Sequence, residues 1–334
     1  VLKVKKITKI YSKGQKPSLS KVSFDVAEGE FIGIMGASGS GKTTLLNVLS
    51  TIDKATSGEV YINGVNLKSL NDTQSADFRR DNLGFIFQEY FLLDSLTIQE
   101  NIAVPLTLQK LSPKKIENKI KSLAERFGIA SQLGKYPNEL SGGQRQRASA
   151  ARAIVKNPSI LFADEPTGAL DSNSATELLH ALSEANSELN TTILMVTHDP
   201  YAASFANRIL IFKDGQIIQE LKKNNEHRQI FYEQIVEEVL RLVYQYGYQE
   251  KVILSSFNHY TLQEIRKKDK HIQTGLLYRD GIVNVCEYAY REIGTNALHP
   301  ALYNTRYEGF YRQAEKFCQK IHVWTCLLYT SDAA

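Results

Sequence analysis

Long apolar runs are missing from this chain. No stretch of its 334 residues approaches the roughly 18 consecutive apolar residues a membrane-crossing helix needs. The opening "VLKVKKITKIY" alternates where a secretion signal would be continuously apolar. The expectation is a soluble, cytosolic protein. A dominant charge is missing as well, since 40 Lys and Arg stand against 36 Asp and Glu for a net +4. Without a localised basic patch that balance is too small to argue for a nucleic-acid partner, and none is expected. Cysteine is scarce: Cys286, Cys318 and Cys326 match neither a disulfide framework nor metal-ligand spacing. Their position says more than their number. All three fall late, as do twelve of the seventeen tyrosines, which lie after residue 225. A chain of this length holds about two domains, and the change in composition places the boundary near residues 220–230.

What is present in the first two-thirds is an ordered set of phosphate-handling pieces. "VSFDV" (22–26) alternates like a half-buried strand, and "FIGIM" (31–35) is a continuous apolar run of buried-strand length. "GASGSGKTT" (36–44) follows directly, and "TTLLNVLS" has the composition of a helix. Strand, glycine loop and helix in that order make G-x-x-x-x-G-K-T a P-loop rather than a chance string. In it Gly36, Ala37, Ser38, Gly39, Ser40 and Gly41 wrap phosphates with backbone N–H groups. Lys42 reaches the β- and γ-phosphates, Thr43 offers its hydroxyl to Mg²⁺, and Thr44 continues into the helix. "TSGEVYINGV" (56–65) reads as a hairpin turning at Asn63-Gly64.

A second apolar strand, "ILFAD" (160–164), ends in Asp164-Glu165. Paired acids at a strand end often cap a helix. Beside a P-loop they suit phosphate chemistry instead, with Asp164 in the Mg²⁺ shell and Glu165 polarising the attacking water. "TTILMVTHDP" repeats the arrangement and delivers His198 just after a strand, within reach of a γ-phosphate. Between these strands the texture turns helical. Ser112-Pro113 starts a helix whose Ile116, Ile120, Leu123 and Phe127 recur at helical spacing until Gly128. A small helical lobe is thus inserted in the α/β core, with Gln88 at its entrance and "LSGGQ" (140–144) at its exit. This second glycine turn, with Ser141, Gly142, Gly143 and Gln144, also opens a helix. Because one ATP is already surrounded, it is expected to serve another, held by a second copy in a head-to-tail homodimer. A bulky residue at Gly143 is then expected to stop turnover.

This order of motifs resembles the nucleotide-binding subunit of ABC transporters over about residues 1–221. The resemblance implies that Tyr11 stacks on adenine and that residues 36–44 are the Walker A loop. Gln88 becomes the Q-loop glutamine, also a Mg²⁺ ligand, and 140–144 the signature. Asp164 and Glu165 are the Walker B acids, Asp171 ends the D-loop "ALD", and His198 is the switch histidine. It further implies an ATP-closed dimer driving a separate membrane permease, which would hold the chain on the inner face of the membrane. "GFIFQEYFLLDSLTIQENI" and "DEPTGALDSNSA" look most like the lipoprotein-release, macrolide-export and peptide-antibiotic-resistance group. Within it, "FLLDSLTIQENI" is closest to the bacitracin and lantibiotic resistance subgroup. An ABC-type ATPase that regulates an envelope process without transport is the alternative.

After residue 220 the period changes. "VILSSF" (252–257), "TGLLY" (274–278), "NALHP" (296–300) and "IHVWT" (321–325) read as short strands separated by helical stretches. The segment resembles the C-terminal half of a glycerophosphodiester phosphodiesterase, a TIM-barrel family. "ELK" (220–222) fits that family's fourth strand, which bears a metal-binding glutamate, and fits the tail of the ABC domain equally. Eight strands close such a barrel and about five are expected here. Glu220 alone cannot supply the oxygen cage of a hard cation. The fold class expected is therefore α/β: a P-loop ABC ATPase core with an inserted helical lobe (1–221), then an incomplete (β/α) TIM-barrel fragment (222–325) without phosphodiesterase activity. The tail 326–334, "CLLYTSDAA", resembles the translation of a transposon end used in sequencing-library preparation. With the absent initiator methionine and the ambiguous "ELK", it suggests two genes joined in assembly, against a natural fusion.

Overall fold

The computed structural model describes residues 1–12, 14, 16–107, 111–224, 226–278 and 281–323. The tail 326–334 and the last two residues of "IHVWT" lie outside them. The chain divides into two units, one formed by Val1–His198 with Ala202–Glu226, the other by Asp199–Tyr201 with the chain from His227 onward.

In the first unit, β1 (Leu2–Lys9) and β2 (Leu19–Val26) pair antiparallel and lead into β3 (Phe31–Gly36) and α1 (Lys42–Leu49). Strands β4 (Ser57–Ile62) and β5 (Val65–Asn66) complete an antiparallel sheet of order β2-β1-β4-β5. Its hairpin turns where the sequence indicates: Ile62 pairs with Val65, and Asn63 and Gly64 both have positive φ, 49° and 80°, as a type I′ turn requires. Next come α2 (Asp72–Asn82) and β6 (Leu83–Ile86), then the helices of the lobe, α3 (Ile98–Thr107), α4 (Pro113–Arg126) and α5 (Gly142–Ile154). In α4, Pro113 sits in the first turn, and Ile120, Leu123 and Phe127 form the buried face. Strand β7 (Ile160–Asp164), α6 (Ser172–Leu189), β8 (Ile193–Thr197), α7 (Pro200–Ala203), of which Ala202 and Ala203 belong to this unit, β9 (Arg208–Lys213) and β10 (Gln216–Lys222) follow.

The second sheet of this unit runs β10-β9-β3-β8-β7-β6 and is parallel except for β10. β3 and β8 are buried along nearly their whole length, which explains their unbroken apolar sequence. Leu45, Leu46, Val48 and Leu49 of α1 share one core with Val4 and Val22 of the antiparallel sheet and Ile34, Phe162 and Val196 of the parallel one. "ELK" belongs to this unit: Glu220 pairs with Leu210 and Lys222 with Arg208, and the Arg208 guanidinium lies 3.3 Å from Glu220.

The second unit opens on α8 (Arg228–Gln245) and alternates β11 (Ile253–Ser256), α9 (His259–Lys268), β12 (Gln273–Tyr278), α10 (Val285–Tyr288), β13 (Ala297–Pro300), α11 (Phe310–Lys316) and β14 (Lys320–Ile321). Its four strands are parallel and pair in chain order. Leu262, Leu276, Cys286, Leu298 and Phe310 form its core. With β10 assigned elsewhere, the described strands number four rather than five. The last ends at Ile321, leaving His322 and Val323 of the expected strand beyond it. Among the described residues, no helix is long and apolar enough to cross a membrane.

Leu298 is fully buried at the middle of this core. Leu298→Ala is expected to destabilise the second unit by about 2–5 kcal/mol, read as a lower urea midpoint by circular dichroism.

Candidate active site

Parallel pairing decides where the functional side chains emerge. Met35 of β3 lies beside Thr197 of β8, and Val196 of β8 beside Asp164 of β7. Gly36 at the last position of β3, and His198 and Glu165 just beyond β8 and β7, therefore lie along one edge of the sheet. β6 adds to it, with Ile86 beside Ala163, so that Gln88 emerges two residues later. The carboxyl edge of a parallel sheet is where α/β folds bind ligands.

The loop from Gly36 is held close to its surroundings. A Cβ on Gly36 would lie 2.4 Å from the Phe212 carbonyl oxygen, and one on Gly41 2.4 Å from that of Ser18. Gly41 also has φ +103°, so no other residue fits there without strain. It caps α1 without a side-chain bond, leaving first-turn N–H groups to face an anion. Ala37, Ser38 and Gly39 are exposed at the crest. Lys42 curls across the loop, its Nζ donating to the carbonyls of Gly36 at 2.8 Å and Ala37 at 2.9 Å. Burial draws its ammonium below the ordinary lysine range, against the opposing pull of Glu165 and Asp164. Ser40 Oγ is buried with no partner among the described residues. Thr43 is exposed and Thr44 half-buried.

Burial, and then the neighbouring Glu165 charge, push Asp164 above the usual carboxylate range, with Lys42 opposing. Glu165 has φ +47°, a left-handed conformation costing about 1–3 kcal/mol for a non-glycine residue. Its N–H donates to Val196 O at 3.0 Å, its carbonyl accepts from Gly168 N–H at 3.0 Å, and its Oε1 meets His198 Nδ1 at 3.0 Å. Gln88 lies on the same turn: a Cβ on Gly168 would sit 3.1 Å from Gln88 Nε2. The hydroxyl of Thr43, the carboxylate of Asp164 and the amide oxygen of Gln88 are all hard oxygen donors of the kind Mg²⁺ takes. With the glycine cradle beside them, the residues present fit a magnesium nucleotide.

The remaining candidates form separate groups. Ser141 and Gln144 make a reciprocal cap at the start of α5: Ser141 Oγ accepts from Gln144 N–H at 3.3 Å, and Gln144 Oε1 from Ser141 N–H at 3.0 Å. Asp171 caps α6, accepting from Asn173 N–H at 3.1 Å and Ser174 N–H at 3.0 Å. Burial works to raise its pKa, but those bonds outweigh it and leave the carboxyl below its usual range. Tyr11 is 56% exposed, with the Lys9 ammonium 4.8 Å from its ring centroid. Gly142 faces the Tyr90 hydroxyl. Gly143 changes an expectation: it is buried, and a Cβ there would lie 2.4 Å from Ser174 Oγ of the same chain. A bulky residue at Gly143 therefore disturbs α5–α6 packing within one copy, so lost turnover alone would not identify a shared pocket.

Sequence reading also missed the grip of α5 on the loop after Gln88. Arg152 donates from Nη1 to Phe91 O at 2.6 Å and from Nη2 to Tyr90 O at 3.1 Å, and the Arg145 guanidinium lies 4.9 Å from the Tyr90 ring centroid. Bonds to backbone carbonyls leave no residue pattern to find.

A parallel-sheet P-loop ATPase with a helical insertion is the class this arrangement defines. The ABC transporter family profile matches residues 19–168. That of the glycerophosphoryl diester phosphodiesterase family matches residues 176–333. A bacitracin export ATP-binding protein of Halalkalibacterium halodurans is 55% identical over 218 residues, covering 65% of this chain and 86% of that protein. A macrolide export ATP-binding/permease protein of Vibrio parahaemolyticus is 42% identical over 222 residues, 66% of this chain and 34% of that protein. Among solved structures, the ATP-binding cassette MJ0796 in a dimeric post-hydrolysis state bound to ADP and Pi superposes with a TM-score of 0.61 at 38% identity, covering 66% of this chain and 98% of that one. The chain belongs to the ATP-hydrolysing, ATP-binding subunits of ABC transporters.

Gly143→Ala is expected to lower stability by about 1–3 kcal/mol through overpacking, and Ser174→Gly in the same chain to restore part of it. A double-mutant cycle by chemical denaturation checks this, with additive losses counting against the contact.

Proposed function

We propose that this chain powers a separate membrane permease as a homodimer that closes around two ATP molecules. The observation that supports it most is the gathering of the 36–44 loop, Gln88, Asp164, Glu165 and His198 at one sheet edge. Loop N–H groups and the α1 N-terminus hold the phosphates, and Lys42 exchanges the Gly36 and Ala37 carbonyls for β- and γ-phosphate oxygens. Thr43, Asp164 and Gln88 would hold Mg²⁺, which would supply positive charge against the phosphate oxygens. Glu165 polarises the attacking water. His198, whose Nδ1 meets Glu165, holds that carboxylate in place and turns Nε2 toward the γ-phosphate. Tyr11 stacks its exposed ring on adenine.

Ser141, Gly142, Gly143, Gln144 and Asp171 of a second copy complete each pocket, so that neither copy alone hydrolyses well. The dimeric state of the MJ0796 cassette supports this arrangement. The macrolide relative, described as an ATP-binding/permease protein, supports a membrane partner. The bacitracin export relative supports peptide antibiotics as the cargo class, and export as the direction. The chain then works in the cytoplasm, peripheral to the membrane through its permease. The domain division we propose is 1–221 for this machinery, 222–325 for the barrel fragment, and 326–334 as a tail foreign to both. Four described parallel strands support a phosphodiesterase segment that is inactive, since eight close the barrel.

Glu165→Gln is expected to keep ATP binding, accumulate a dimer on ATP in light-scattering chromatography, and slow turnover about a hundredfold or more; turnover at the parental rate would reject the water-polarising role. Incubating the full chain with glycerophosphodiesters should release no glycerol phosphate, and metal-dependent release would overturn the inactive assignment.

A further inference from the structure

Helix α5 begins at the 141–144 turn and carries Gln146 in its first two turns. That side chain is fully buried, 0% exposed. Its Nε2 donates to two carbonyls, Phe87 O at 2.8 Å and Pro166 O at 2.8 Å. Phe87 immediately precedes Gln88, and Pro166 immediately follows Glu165. One amide nitrogen therefore donates one proton to the 87–88 peptide, which adjoins Gln88, and the other to the 166–167 peptide, one residue beyond Glu165. Its Oε1 has no partner among the described residues. Packing alone does not account for an amide here, because burying one costs more than burying an apolar side chain of equal length.

We propose that Gln146 is a positioning residue for hydrolysis, fixing the loops of Gln88 and Glu165 to α5 and so to one another. The proposal rests on the roles proposed for those two residues. The need for such a tie is visible at Glu165. Its φ of +47° persists only if its surroundings over-determine it. Two ties come from near the loop itself, Val196 O and Gly168 N–H. Gln146 adds a third from a separate helix. The same helix holds Tyr90 O and Phe91 O through Arg152, so the segment after β6 is held on both sides of Gln88. Chemistry restricts the choice at 146. Asn is one methylene short, Glu when ionised offers only acceptors to two carbonyls, and Met matches the length without a donor.

The test uses the full chain as parent, Gln146→Met, Gln146→Glu and, in parallel, Glu165→Gln, measuring kcat, KM for ATP, binding of a fluorescent ATP analogue and the melting temperature. A positioning role predicts that Gln146→Met stays folded and keeps KM and nucleotide affinity within about threefold, while kcat falls about tenfold to a hundredfold. Gln146→Glu should lose at least as much. Parental kcat in a folded Gln146→Met protein overturns the proposal, as does a KM change with kcat intact. Failure of both variants to fold overturns it too, by assigning Gln146 to the core. The Glu165→Gln arm separates the two readings: if it slows hydrolysis and Gln146→Met does not, only the role of Gln146 falls, whereas no effect of Glu165→Gln removes the site reading itself.

Discussion

The parallel alignment of β3, β8 and β7 is the constraint on which the rest of the site depends. Hydrogen bonding in a parallel ladder fixes register, and here it sets Ile34, Val196 and Asp164 at the same level of the sheet. Burial on both faces keeps these strands apolar and prevents them from slipping. Functional groups therefore come from the end of each strand or the residue just beyond it, and those are Gly36, Asp164, Glu165 and His198. Residues separated by more than a hundred positions in sequence meet because three apolar strands end together.

Charge then determines what the edge can hold. Lys42 and Asp164 lie close enough to oppose each other's desolvation, the lysine drawn down by burial against the pull of both acids, and Asp164 pushed up by burial and by the neighbouring Glu165 charge. The Lys42 ammonium is satisfied by two loop carbonyls. Glu165 is treated differently. It is held in a strained conformation by backbone bonds on either side and by His198 at its carboxylate, so that its position depends on β8, the 165–168 turn and α5 together.

Much of this was legible in the sequence wherever a local pattern has one physical solution. The apolar runs at 31–35, 160–164 and 193–197 are too short for helices and sit beside glycine or acidic residues, which marks them as buried strands ending at a site. Asn63-Gly64 between alternating strands admits a type I′ turn and little else. Ser112-Pro113 and the spacing from Ile116 to Phe127 fix one amphipathic helix. Contacts made through backbone atoms were not legible. The hold of Gln146 on Phe87 and Pro166, and of Arg152 on Tyr90 and Phe91, depends on carbonyls that every residue possesses. Nor does "LSGGQ" disclose that Gly143 is needed for Ser174 of its own chain, because a glycine required for close packing and one required for a ligand look alike.

The junction shows where pattern alone misleads. The phosphodiesterase family profile begins at residue 176, yet residues 176–213 run helix, strand, helix, strand, an order shared by a β/α barrel and by this ATPase core. Pairing separates the two. β8 lies between β3 and β7, and β9 pairs with the other side of β3, so both are integral to the P-loop sheet. β10 settles the direction of the chain: it runs antiparallel to β9, whereas every strand of a TIM barrel is parallel to its neighbours. Glu220, equally at home in either sequence pattern, is thereby placed opposite Leu210 and beside Arg208. A carboxylate held there belongs to the edge strand of the ATPase sheet.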